Sequence, residues 1–142
     1  MIIRYANITD LNFILRLHNK NVLRRNFFSK KKASLKEHRV WFVNKIMEKN
    51  LFICLLKDRI GYVRYDYINK KNLSISIAIE ERYKRKGFGK QMLMKTLKKR
   101  EISKFNIIAV IDKKNLTSQN FFLNSGFKFF KKNIYMLRKS NE

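Results

Sequence analysis

The chain has 142 residues, 45% of them apolar, and carries 34 Lys and Arg against 10 Asp and Glu, a formal charge of +24. That length fits one domain with its own core, while one cysteine (Cys54) excludes an internal disulfide or thiolate zinc site and two histidines are too few for a histidine-only metal site. No run of about 18 apolar residues is present to span a membrane, and MIIRYANITD lacks the apolar stretch of a secretory leader, so a cytoplasmic protein is expected.

Ile2 to Tyr5 is a short β-like run. Thr9 offers an N-cap, and Leu11, Ile14, Leu15 and His18 then fall on one helical face. His18 on that face reads as core packing. Ser34-Leu35-Lys36-Glu37 has the form of a capping box and opens a second helix, with Leu35, Phe42 and Ile46 inward and an end near Asn50. The period then changes. Leu51 to Leu56 reads as a buried strand, Ile60 to Tyr67 as the next, and Leu73 to Ile79 alternates strictly, apolar residues on one face and Ser74, Ser76 and Ala78 on the other. Short polar turns between them predict an antiparallel meander. A helix follows from Gly89 to about Arg100, with Met92, Leu93 and Leu97 inward. Phe105 to Ile111 is a buried strand, Asn115 to Ser125 a short helix stopping at Gly126, and Phe127–Phe130 with Ile134–Leu137 a closing hairpin. The order β-α-α-β-β-β-α-β-α-β-β makes a mixed α/β domain over residues 1–142.

Glycine is scarce, four in all, and two sit in Lys84-Arg85-Lys86-Gly87-Phe88-Gly89. This loop joins the alternating strand to an amphipathic helix. Glycines let backbone N–H groups turn toward a ligand, and the helix N-terminus adds unfilled donors and positive potential. With the flanking cations this is an anion cradle, or else merely a glycine-bearing turn. A P-loop fails, because Gly89 is followed by Lys90-Gln91, and a dinucleotide fingerprint fails at Met92.

The segment EERYKRKGFGKQML resembles the signature Arg/Gln-x-x-Gly-x-Gly/Ala of the GNAT superfamily of N-acetyltransferases, with Lys84 in the first position. A second stretch, Asn115 to Phe127, resembles that family's Asn-x-x-Ala-x-x-x-Tyr-x-x-x-Gly-Phe. The resemblance covers essentially the whole chain. It implies the GNAT fold, a mostly antiparallel central sheet flanked by helices, and acetyl-CoA as acetyl donor, with no metal. It places Lys84, Arg85, Lys86, Gly87, Phe88, Gly89 and Lys90 at the pyrophosphate, and Asn115, Ser118 and Phe122 at the pantetheine and thioester. Phe122 stands where the family often has tyrosine and cannot protonate a departing thiolate; Tyr83 and Tyr135 are alternative donors.

Residues 21–27 and 34–42 resemble a narrower group, the nucleotide-amino-sugar N-acetyltransferases of pseudaminic acid biosynthesis. This implies a UDP-linked 4-amino-4,6-dideoxy sugar as acceptor, met by Arg25, Asn26, Glu37, His38 and Trp41. Glu37 and Trp41 read equally as a cap and as core. Expected chemistry is direct attack of a primary amine on the thioester, with backbone N–H groups around Ile77, Ala78 and Ile79 polarising the carbonyl. No carboxylate stands near Leu73, where the family often places its base. His38 or Asp66 is the expected base, with Glu80 or a water chain along Ser74 and Ser76 as alternatives.

Two other readings stay open: a GNAT enzyme acetylating a protein N-terminus or lysine, and a basic nucleic-acid-binding module. The second is ranked below, because it leaves both signatures unexplained. Lys, Asn, Ile and Phe share A/T-rich codons, so base composition is expected to account for much of the charge. No membrane partner is expected, and the protein is expected to be a monomer or homodimer.

Overall fold

Caps and alternation set the element boundaries. In the computed structural model, which describes residues 1–23 and 35–139, β1 (Ile2–Tyr5) passes through one 3-10 turn (Ile8–Asp10) into α1 (Leu11–Leu23). Next come α2 (Leu35–Glu48), β2 (Leu51–Leu55), β3 (Arg59–Tyr67) and β4 (Asn72–Ile79). A second 3-10 turn (Glu81–Tyr83) leads to α3 (Phe88–Leu97) and a short α4 (Arg100–Ser103), then β5 (Asn106–Val110), α5 (Leu116–Asn124), β6 (Lys128–Lys131) and β7 (Ile134–Leu137). The expected order holds, with α4 as one added turn.

The first cap corrects the sequence reading. Asn7, not Thr9, holds the helical start: its side chain accepts the Thr9 N–H at 3.0 Å, and the Asp10 carboxylate accepts the Asn7 N–H at 2.8 Å. A capping box needs its acid three residues after the cap. Asp10 stands there for Asn7, whereas Thr9 has Asn12. Asp10 is fully buried, and Arg4 and Arg59 both bond its carboxylate at 2.7 Å.

The seven strands form one sheet in the order β1-β2-β3-β4-β5-β7-β6. All neighbours are antiparallel except β4 and β5. That parallel pair is brief: Asn72↔Asn106, Leu73↔Ile107 and Ser74↔Ile108. Meanwhile β3 stays paired to β4 as far as Gly61↔Ile79. Beyond Ser74, therefore, the edge of β4 that faces β5 has no strand beside it, and the sheet splits.

Helices cover both faces. One core gathers Val63, Tyr65, Leu73, Ile75, Met92, Leu93, Ile102 and Phe122 beneath α3, α4 and α5. The other gathers Leu11, Ile14, Leu17, Phe42, Ile53, Tyr62 and Ala78 beneath α1 and α2. Alternation along β4 sends Leu73 and Ile75 to the first and Ala78 to the second. Each buried Leu, Ile, Val, Phe or Met among them contributes about 1.5–3 kcal/mol. On α1 the buried stripe runs through Leu17, while Leu15 and His18 are half-buried. Gly61 permits the layer contact: a Cβ there would stand 2.4 Å from the Ala78 carbonyl oxygen and 2.8 Å from Met92 Cε. Among the described residues no helix is long and apolar enough to cross a membrane.

Candidate functional site

The split sheet and the loop after β4 meet at one end of the molecule. Past Ile79, the Glu80 N–H still bonds the Ile60 carbonyl at 2.8 Å. The chain then takes two left-handed residues, Arg85 (φ 61°) and Gly87 (φ 83°). Gly87 is the N-cap of α3 and offers no side chain to it. The helix's own ladder begins with the Gln91 N–H to the Gly87 carbonyl at 3.3 Å, so the N–H groups of Phe88, Gly89 and Lys90 have no helical partner. No acid sits in the first turn to neutralise the positive end of the helix.

The two loop glycines do different work. A Cβ on Gly87 would meet nothing within 4 Å, so this face is open and the left-handed φ is what calls for glycine. A Cβ on Gly89 would stand 3.2 Å from Phe121 Cε1, so Gly89 lets α3 lie close to α5. Arg85, Lys86 and Lys90 are exposed. Lys84 pairs with Glu81 at 3.2 Å. An anion with several oxygens fits this set of unfilled donors and cations.

Downstream, Asn115 caps α5, its side chain accepting the Ser118 N–H at 3.1 Å. Phe122 is buried between the rings of Phe121 and Phe127, with centroids 5.0 and 4.9 Å away. It is core. Gly126 (φ 99°) ends the helix, and the Phe127 N–H closes back to the Phe122 carbonyl at 3.0 Å. Ile77 and Ile79 pack toward the α3/α5 core, and Ala78 faces the opposite side. Of the alternative proton donors, Tyr83 is half-buried beneath the Arg82 guanidinium, and Tyr135 is buried against Phe129. Two surface hollows of ≈ 290 and ≈ 420 Å³ lie by β6 and β7 and include none of residues 84–90. The loop is open on the Gly87 side, where a Cβ would meet nothing within 4 Å.

On the α1/α2 face, the sequence reading missed a polar cluster centred on Arg64. Its guanidinium bonds Asp66 Oδ2 at 2.9 Å and Ser76 Oγ at 3.0 Å, and lies over the Trp41 ring at 5.2 Å. Lys45 of α2 is buried, bonds Glu48 at 3.0 Å and the Tyr65 carbonyl at 3.3 Å, and also pairs with Asp66. Asp66 thus has both carboxylate oxygens on cations. Glu80 is held by Arg16 at 2.6 Å. Tyr62, fully buried, has a hydroxyl with no hydrogen-bond partner among the described residues, and burial pushes its pKa up to about 12. His18 is half-buried, and burial, then the charge of Arg64, hold its pKa below the usual histidine value. Tyr62, Arg64 and Asp66 alternate along β3, which was the available signal. Arg25 and Asn26, and the side chains of Glu37 and His38, lie outside the described residues. Among the described residues no three His, Cys, Asp or Glu are grouped to hold a metal ion.

A family model for the acetyltransferase (GNAT) domain matches residues 1–128. No curated protein matches the chain significantly. Among solved structures, the chain is similar to yncA of Salmonella typhimurium, solved with its cofactor acetyl-CoA, at a TM-score of 0.84 and 17% identity over 100% of this chain and 95% of that one. An N-acetyltransferase from Staphylococcus aureus Mu50 superposes at 0.80 with 20% identity, covering 96% and 97%. A ribosomal-protein-alanine N-acetyltransferase from Brucella melitensis superposes at 0.76 with 18% identity, covering 96% of each.

Proposed function

The chain belongs to the GNAT acetyltransferase family and is an acetyl-CoA-dependent N-acetyltransferase; from that premise we propose that its acceptor is the primary amine of a nucleotide-linked amino sugar. The proposed enzyme is one catalytic domain over residues 1–142, with the donor on the α3/α5 side of the split sheet and the acceptor on the α1/α2 side. One observation carries the donor assignment: left-handed Gly87 opens α3 on three unfilled N–H groups beside Arg85, Lys86 and Lys90, at the end of a strand that has lost its neighbour.

Acetyl-CoA, when bound, supplies an electrophilic thioester carbonyl. The chain's own groups do the rest. The N–H groups of Phe88, Gly89 and Lys90 hold the pyrophosphate, with Lys84, Arg85 and Lys86 adding charge. The unpaired edge of β4 from Ile75 to Ile79 supplies backbone donors that orient the pantetheine arm and polarise the carbonyl. Asn115 caps the start of α5 through the Ser118 N–H, and Phe121, against which Gly89 packs, with buried Phe122 ties α5 to the start of α3 and to the core. Because Phe122 has no hydroxyl, it moves no proton.

The sugar reading is supported by the resemblance of residues 21–27 and 34–42 and by Trp41, whose ring lies under a guanidinium on the acceptor side. An aromatic face joined to fixed cations suits a phosphorylated sugar. Thiol release from acetyl-CoA tests it. Turnover is expected with a UDP-linked 4-amino-4,6-dideoxy sugar. Turnover on a peptide N-terminus or lysine, with none on any amino sugar, would overturn the acceptor class.

A further inference from the structure

We propose that the free edge of β6 docks an extended acidic segment of another protein, which adds to the sheet as one more strand. This surface lies apart from the transferase cleft and goes beyond the acceptor reading. β5 and β7 stand between β6 and β4, and the hollows beside β6 include none of residues 84–90.

The sheet's two edges are finished differently. At β1, Arg4 bonds Asp10, Tyr5 bonds Glu101 of α4 at 2.7 Å, and Lys95 of α3 reaches the Met1 carbonyl at 3.5 Å. At β6, Lys128, Phe129, Phe130 and Lys131 are all exposed, and the two rings keep 62% and 51% of their surface in solvent. Among the described residues β6 pairs only with β7. The backbone groups that an edge strand turns away from its one neighbour are open to another chain. Two hollows lie along this edge, with Phe129 in the wall of both. One, of ≈ 290 Å³, reaches Lys113, Lys132 and Tyr135; the other, of ≈ 420 Å³, reaches Phe130, Met136 and Arg138. Strand addition takes its affinity from main-chain hydrogen bonds and its selectivity from such recesses for side chains.

Charge decides the occupant. Lys113, Lys128, Lys131, Lys132 and Arg138 surround the edge, and no Asp or Glu lines either hollow. None of these cations is ion-paired among the described residues. A second copy of this chain is disfavoured: Lys-Phe-Phe-Lys reads the same in both directions, so an antiparallel pair of β6 strands sets lysine opposite lysine at both ends. Edge lysines deter such self-pairing. They favour Asp or Glu on an incoming strand, with apolar side chains between to cover Phe129 and Phe130.

The test titrates the whole chain with a terminally blocked peptide of alternating Glu and Val, read by backbone amide NMR shifts. Saturable shifts are expected on residues 128–131 and not on residues 84–90. The same peptide N-methylated at every residue keeps its charge and loses its N–H donors. It should bind at least about tenfold more weakly, the loss of one or two hydrogen bonds. Lys128→Glu combined with Lys131→Glu should weaken the Glu/Val peptide and admit a Lys/Val one. Acetyl-CoA binding, which uses neither lysine, should stay at the wild-type value and report an intact fold. Shifts centred on residues 84–90 overturn the proposal. So does an N-methylated peptide that binds as tightly as the plain one, because charge alone would then hold it, and so does a doubly substituted chain that keeps its preference for the acidic peptide. Sedimentation is expected to show no dimer made through β6. A dimer that is lost in Phe129→Ser would make a second copy the occupant and overturn the proposal as well.

Discussion

The two sides of the split sheet are built from different materials. The α3/α5 side uses backbone: an unfilled helix N-terminus, a left-handed glycine and an unpaired strand edge. The α1/α2 side uses side chains that satisfy one another, Arg64 with Asp66, Ser76 and Trp41, and Lys45 with Asp66 and Glu48. A backbone site demands particular residues at particular spacings and so leaves a motif. A side-chain network can be made from many residue sets and leaves none.

If the backbone side depends on close approach, filling its contacts should do the most damage. Gly61→Val puts a side chain against the Ala78 carbonyl and Met92; a loss of about 3 kcal/mol is expected, read as a fall in Tm. Next comes the buried pair at the other end of the sheet. Asp10→Asn leaves Arg4 and Arg59 without their carboxylate, an expected cost of about 2 kcal/mol, discounted because both arginines are partly solvated. The same carboxylate sets a pH window. Burial raises the Asp10 pKa, but hydrogen bonds from Arg4, the Asn7 N–H and Arg59 outweigh it and leave it lowered. Its stabilisation is therefore present above the ordinary carboxylate pKa and is lost as pH falls toward the folded value. Acid titration of Tm should show that loss in wild type and a smaller one in Asp10→Asn.

Gly87→Val should separate binding from folding. The open space around Gly87 removes any clash, and the left-handed φ leaves about 1–2 kcal/mol of strain. A modest Tm loss is expected, with an acetyl-CoA Kd raised about tenfold. The smallest effect belongs to a single exposed cation. Lys86→Ala should weaken acetyl-CoA by about two- to fivefold at low salt and less at high salt, by calorimetry.

What the sequence makes legible follows the same division. Gly126 and Asn115 are readable because a left-handed helix stop and an N-cap admit few residue types, and the structure shows both. Alternation in β4 is readable because each face meets a different core. Thr9 and Asn7 are both good cap residues, and only the acid at Asp10 decides between them. Asp66 has one partner, Arg64, two residues before it on β3, but Lys45 comes from a helix 21 residues earlier and nothing local announces that second pairing. The roles of Arg25, Asn26, Glu37 and His38 stay with the resemblance that suggested them.

The central claim is that residues 84–90 hold the donor's pyrophosphate, and acetyl-CoA can be compared directly with acetylpantetheine, which lacks it. Calorimetry on wild type and Gly87→Val should show acetyl-CoA bound more tightly than acetylpantetheine by wild type, and most of that advantage gone in the variant. An advantage that survives unchanged in Gly87→Val would contradict the cradle.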